Sequence, residues 1–330
     1  MLGADIRDHQ VIVVGAGLAG AMLAHTLAQQ GISVAVCEQS PHPFTGGASH
    51  HHACALYPLI HAAPCAEDVF FLQAYEYALK KFADQPFFHP APLRLPTGKR
   101  HSPLWQNHLE VTDRGTYLLT GGWVDPRMAC QQYLQDIPVF YGVSFRDWRD
   151  CPASVVLCAG SGMRDFFPHW PWRLTAGQTD YGHRAEGAAP DTTILCDDGF
   201  MIPMTKTAVA CGGTYRPHQD KAPVLAQDTQ KNLSKIPLGV PHPDLKPTTG
   251  VRIRGRTILP CVGYGDAGGA FVSVLTKDTP TPTTPPNPWI LTGFGSRGMV
   301  TIPWSVHCLG VVMMGSKKDL APKKDLQSPV

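Results

Sequence analysis

Three glycines and one acid near the amino terminus have the types and the spacing to hold a dinucleotide. Gly15-Ala16-Gly17-Leu18-Ala19-Gly20 follows the apolar run Val11 to Val14, and Glu38 ends the next apolar run 18 residues after Gly20. Gly15 permits a tight turn out of a strand, Gly17 lets the backbone approach a pyrophosphate, and Gly20 lets a helix pack on the sheet. That helix opens at Leu18 and Ala19, offering unpaired N–H groups and a positive dipole end to the phosphates. A carboxylate at Glu38 reaches the hydroxyls of an adenosine ribose, and Gln39 belongs to the same end of the site. A glycine-rich turn alone is weak evidence. Strand, fingerprint, helix, strand and acid in this order are strong.

Further small-residue stretches extend the site. In Thr45-Gly46-Gly47-Ala48-Ser49, residues Gly47, Ala48 and Ser49 either donate to a pyrophosphate or form an ordinary turn. His50, His51 and His52 follow; adjacent histidines do not share a face and lack an acid or Cys at metal spacing, so a polar loop is expected rather than a metal centre. Val143 lies in a strand-like run, and the run Ser154 to Cys158 passes into Ala159 and Gly160, as a parallel strand does where it meets a cofactor. Close to the carboxyl terminus, Trp289 to Thr292 reads as a strand. A turn follows through Gly293, Gly295, Ser296, Arg297 and Gly298, and Met299 starts a largely apolar helix with Pro303 in its first turn. A nicotinamide fold is usually contiguous, whereas a flavin needs such a late return. Its N1–C2=O edge gathers negative charge on reduction, which a helix amino terminus stabilises.

The elements that position these residues predict an α/β fold: a Rossmann-like FAD-binding domain with a second, mainly antiparallel-sheet substrate domain. Helices are expected over 18–30, 69–82 and 126–134, the last with Asp125 as N-cap and Pro126 at its first position. Short alternating strands near 192–196, 200–204, 208–211 and 251–258 give the second sheet. The expected boundaries are 1–83, 117–165 and 288–316 for the first domain, and 84–116 with 166–287 for the second. Residues 317–330 form a flexible basic tail, and the Thr- and Pro-rich stretch 276–288 a linker.

With 330 residues, 43% apolar and 16% charged, the chain can bury a substantial core. No run of about 18 apolar residues suggests a membrane span, and the polar start lacks the core of a signal peptide. Ten scattered cysteines without a CxxC pair read as reduced residues of a cytoplasmic protein. A net charge of +2 leaves a nucleic-acid partner open.

The chain resembles the FAD-dependent amine oxidase family that includes D-amino-acid, glycine and sarcosine oxidases. Within it, the resemblance is nearest to the oxidoreductase half of bifunctional tRNA-modifying proteins. It is carried by Gly15 to Gly20, Gly47-Ala48-Ser49, Ala55-Leu56-Tyr57-Pro58-Leu59, Gly121-Gly122-Trp123, Gly213-Thr214-Tyr215, Gly250-Val251-Arg252, Leu259 to Gly263 and Gly293 to Gly298. Departures are Ala176 where the family has Arg, Thr257 where it has an acid, and His51-His52 in place of Asn-Arg.

The resemblance implies oxidation of a carboxymethylamino group on a tRNA wobble uridine, with FAD as acceptor and glyoxylate as product. Arg252 and Arg297 match carboxylate-binding positions, with Arg256 a weaker candidate, and Tyr57 and Tyr215 would wall the pocket. Two alternatives stand beside it: a glycine- or sarcosine-type amine oxidase, and a flavin-binding protein that has lost turnover. No methyltransferase half is present, so a separate methyltransferase chain is a possible partner. Phosphate contacts to tRNA would come from Arg94, Lys99 and Arg100, and from Lys317, Lys318, Lys323 and Lys324.

Overall fold

A computed structural model describes residues 6, 8–44, 47–146, 148, 151–183, 192–236, 240–242, 244–265, 271–275 and 288–315. Residues 276–287 of the expected linker, the tail with its four lysines, and Thr45-Gly46 lie outside the described residues. The apolar run Val11–Val14 is a strand with no exposed side chain, paired in parallel with Val34–Glu38 on one side and Ser154–Leu157 on the other. Val139–Tyr141 extends the sheet beyond Val34–Glu38, and Trp289–Thr292 pairs in parallel with Ser154–Leu157. The chain thus builds outward from the opening strand in one direction and later in the other. This places a switch point, where open α/β sheets bind ligands, at the carboxyl end of Val11–Val14.

The helix Leu18–Gln29 buries Leu18, Met22, Leu23 and Leu27 against this sheet, and Gly31 ends it at φ +76°. The closing helix Gly298–Gly315 packs on it and on Ala66–Phe82. Gly298–Gly315 is, among the described residues, long and apolar enough to cross a membrane, but half of that span is buried inside the fold, as in a core helix. Pro303 is its sixth residue, so it sits one turn later than the sequence suggests. Asp125 caps Pro126–Leu134, accepting from the N–H groups of Arg127 and Met128 at 2.9 and 3.0 Å.

The second sheet is built around Arg173–His183, an 11-residue strand that the sequence pattern does not announce. It pairs antiparallel with Thr248–Arg254 and Ala208–Gly212, and the sheet continues through Gly199–Pro203 and Ile194–Asp197 to the segments Leu93–Arg94, Gly115–Leu118 and Leu109–Thr112. The excursion after residue 84 therefore does reach this sheet. One placement differs from the sequence reading: Cys261–Gly265 pairs antiparallel with Trp289–Thr292 on one side and Phe271–Ser273 on the other, in the first sheet and not the second. Short β-rich runs carry no label of the sheet they join. The expected strand over 139–145 also stops at Tyr141.

Candidate functional site

One cavity of about 550 Å³ runs along the switch point and between the two sheets. It is lined by every residue expected at the cofactor and substrate ends except Gly20 and the weaker candidate Arg256. Gly20 works behind the wall: a Cβ there would lie 2.0 Å from the Gly15 carbonyl oxygen, so only glycine lets helix and strand meet. Gly15 holds φ +109°, and a Cβ would meet the Cys158 carbonyl at 2.6 Å.

At one end of the cavity, Glu38 is fixed by two backbone donors. Its Oε2 accepts from Ala16 N–H and its Oε1 from Ser40 N–H, both at 2.9 Å. Each oxygen keeps a lone pair for a hydroxyl, the pattern a ribose diol needs. Next along the cavity is the amino terminus of Leu18–Gln29. Gly17 is its N-cap and has no side chain to cap it; Ser49 Oγ instead accepts from Leu18 N–H at 3.1 Å. The loop Gly47–Ser49 is thereby pinned beside the fingerprint. A second helix amino terminus, Gly298 with Met299, lines the same cavity. The Val300 and Thr301 N–H groups both go to the Arg297 carbonyl at 3.0 Å, which starts that helix. The first-turn donors ahead of them are not used by the helix itself. Two positive helix ends and one fixed carboxylate on a single cavity form a donor and acceptor set that fits FAD.

At the other end are two guanidinium groups. Arg297 lies over the Tyr57 ring, with Cζ 4.5 Å from its centroid, and Arg252 lies 5.8 Å from the Tyr215 centroid. Arg252 Nη2 donates to the Thr214 carbonyl at 3.0 Å. Loss of hydration on burial pushes both guanidinium groups below their ordinary range. Neither forms an ion pair with a carboxylate among the described residues. Burial likewise raises the Tyr57 phenol. Tyr215 is 62% exposed and stands at the rim. Arg256 is exposed and does not line the cavity.

Gly177 sets the position of Arg252. A Cβ at Gly177 would fall 2.6 Å from Arg252 Nη2 and 2.7 Å from the Thr214 carbonyl oxygen. Gly177→Ala should therefore swing the guanidinium aside, raising KM about tenfold with FAD content unchanged, as measured by steady-state kinetics.

The departures from the family pattern separate in space. Ala176 is fully buried behind the cavity wall and Thr257 is exposed; neither lines the cavity. His51 does. Its Nδ1 meets Thr248 Oγ1 at 2.7 Å, and burial, then His50 and Arg252, push its pKa down to about 3. His52 Nε2 takes a hydrogen bond from Arg127 Nη1 at 3.0 Å, so His52 is neutral as well. The lining also includes Cys196 and Asp197, which sequence reasoning did not place there; no motif marks them. Arg94, Lys99 and Arg100 are exposed and lie off the cavity wall. All ten cysteines are free.

Comparison with known proteins agrees with this geometry. The family of FAD dependent oxidoreductases, DAO, matches residues 10–87. Among curated relatives, the tRNA 5-methylaminomethyl-2-thiouridine biosynthesis bifunctional protein MnmC of Aeromonas salmonicida is 24% identical over 96% of this chain and 57% of its own length. That of Maricaulis maris is 26% identical over 95% and 53%. The chain thus spans a little over half the length of these relatives. Among solved structures, glycine oxidase from Geobacillus kaustophilus superposes with a TM-score of 0.69 at 15% identity, covering 97% of this chain and 96% of its own. Iminodiacetate oxidase from Chelativorans gives 0.68 at 16%, covering 92% and 95%. At these identities the structural likeness speaks to the fold.

Proposed function

We propose that this chain, an FAD-dependent oxidoreductase of the DAO type, oxidises the C–N bond of a carboxymethylamino group on a tRNA wobble uridine and releases glyoxylate. The observation that carries the substrate class is the pair of unpaired guanidiniums, Arg252 and Arg297, on the cavity that also receives both helix amino termini. A desolvated cation without a carboxylate partner is satisfied by an anionic ligand, and a guanidinium fork suits a carboxylate. The likeness to MnmC over nearly the whole chain supports tRNA as the carrier of that carboxylate.

FAD, when bound, supplies the two-electron acceptor. The chain's part is to hold the methylene between nitrogen and carboxylate at the reacting end. The methylene C–H breaks with its electron pair, and the nitrogen lone pair forms the C=N bond. Water then adds to that carbon, and C–N cleavage gives glyoxylate and the aminomethyl uridine. Arg252 and Arg297 anchor the carboxylate, and the Tyr57 ring backs Arg297. The step needs a neutral amine and no strong base.

Incubation with tRNA bearing carboxymethylaminomethyl uridine, followed by nucleoside mass spectrometry and glyoxylate assay, tests the reading. Loss of the carboxymethyl group with stoichiometric glyoxylate supports it. A second reading, an oxidase of free glycine- or sarcosine-like amines, draws on the likeness to glycine and iminodiacetate oxidases and on the exposed basic residues lying off the cavity wall. Brisk oxidation of free sarcosine with no action on tRNA would transfer the assignment to it. If Lys99 and Arg100 track tRNA phosphates, replacing both by Ala should flatten the log–log salt dependence of binding by about one to two units, with FAD content unchanged. An unchanged slope would remove them from the interface.

A further inference from the structure

The histidine that departs from the family pattern is held by a chain of hydroxyls. Tyr181 OH accepts from the His52 backbone N–H at 3.0 Å, and it lies 2.9 Å from Thr248 Oγ1, which lies 2.7 Å from His51 Nδ1. Tyr181 is 2% exposed, and among the described residues Thr248 Oγ1 is the acceptor within reach of its hydrogen. The phenol therefore donates to Thr248, which leaves the Thr248 hydroxyl hydrogen free to be directed at His51 Nδ1, 2.7 Å away. In that arrangement His51 Nδ1 is the acceptor, and the hydrogen of the neutral ring sits on Nε2. Arg127 anchors the chain's start by holding the His52 ring, which packs edge-on to Tyr181 at 5.2 Å.

The cavity face of the sheet brings this ring to Arg252. Thr248, Gly250 and Arg252 alternate onto one face, opposite Thr179, Gly177 and Thr175. The Arg252 guanidinium leans back over Gly177, toward Thr248. The loop preceding His51 crosses Gly250 so closely that a Cβ there would meet the Gly47 carbonyl at 2.9 Å. His50, His52 and Arg252 are the charged or titratable groups acting on the ring, and each disfavours its protonation.

Building on the carboxylate reading above, we propose that His51 is a substrate-binding residue, a neutral imidazole whose Nε2–H donates to the same carboxylate that Arg252 holds, with Thr248 and Tyr181 as its positioning residues. An uncharged donor beside the two arginines adds direction without a third desolvated cation.

Two measurements on the FAD-loaded protein test this. Nitrogen-15 histidine NMR, with His51 assigned by its loss in His51→Gln, should give the Nε2–H tautomer with no titration between pH 5 and 8; an Nδ1–H tautomer, or titration near 6.5, overturns the proposal. Methoxyacetate, a carboxymethyl ether that offers no amine to oxidise, is then titrated against flavin absorbance. Thr248→Val should raise its Kd about tenfold or more, Thr248→Ser should restore it to within about twofold, and Tyr181→Phe should follow Thr248→Val. Wild-type binding that Thr248→Val and Tyr181→Phe leave unchanged overturns the role of His51 while the carboxylate reading stands. Absence of wild-type binding, with FAD in place, overturns both.

Discussion

Gly17→Val should yield a folded, colourless protein. A Cβ at position 17 would come 3.3 Å from Ser49 Oγ, the atom that holds Leu18 N–H and pins the Gly47–Ser49 loop. Valine adds two methyl groups beyond that point, on the wall where the phosphates must approach the helix terminus. Overpacking of this kind costs about 1–3 kcal/mol, and lost charge-assisted hydrogen bonds to phosphate add to it. Together they weaken FAD binding by about a hundredfold or more. The visible spectrum of the purified variant reads this directly, and far-UV circular dichroism checks the fold. Gly20→Ala provides the contrast. Its Cβ meets the Gly15 carbonyl at 2.0 Å, within the helix–strand contact, so it should lower Tm as well as flavin content. A yellow Gly17→Val protein would show that the phosphates lie elsewhere.

How much of this was legible depends on which force shapes each segment. The opening unit could be read because its rules are local: an apolar strand, glycines at fixed offsets, a helix stripe, an acid. The closing strand and helix obey the same rules, and they meet the cavity as expected. The long strand Arg173–His183 could not be read. Its interior Thr175 to Asp180 is polar or small yet almost fully buried. Burial is possible because distant groups satisfy it. Asp180 accepts from Gln178, Thr229 and Asn232, the last at 2.7 Å, and Gln178 also donates to Thr229 Oγ1 and accepts from the Leu225 N–H. Such a network looks like loop sequence until its partners are known. The same holds in the site. The glycines and both arginines announce themselves by motif, whereas the bond from His51 to Thr248 spans 197 residues and leaves no local trace.

Arg252→Met and Arg297→Met should each abolish most turnover without unfolding the protein, and the combination separates a substrate role from a structural one. Both guanidiniums have lost hydration, and neither faces a carboxylate among the described residues. Both nevertheless stay charged at neutral pH, because a guanidinium starts far above it. A desolvated cation without an anion opposes folding, and the aromatic contact at Tyr57 offsets only part of that. Methionine keeps much of the side-chain volume and removes the charge, so Tm should stay level or rise. Binding of an anionic substrate loses a charge-assisted, fork-shaped partner, worth about 2–5 kcal/mol when one member of a buried charged pair is truncated. The expected fall in kcat/KM is then about 30- to 5000-fold. Lysine should recover little, since a point charge cannot reproduce the two parallel bonds. Steady-state kinetics and thermal melts on the two variants decide the matter. A drop in Tm with kcat/KM nearly intact would make these arginines structural, and the carboxylate assignment would fall with them.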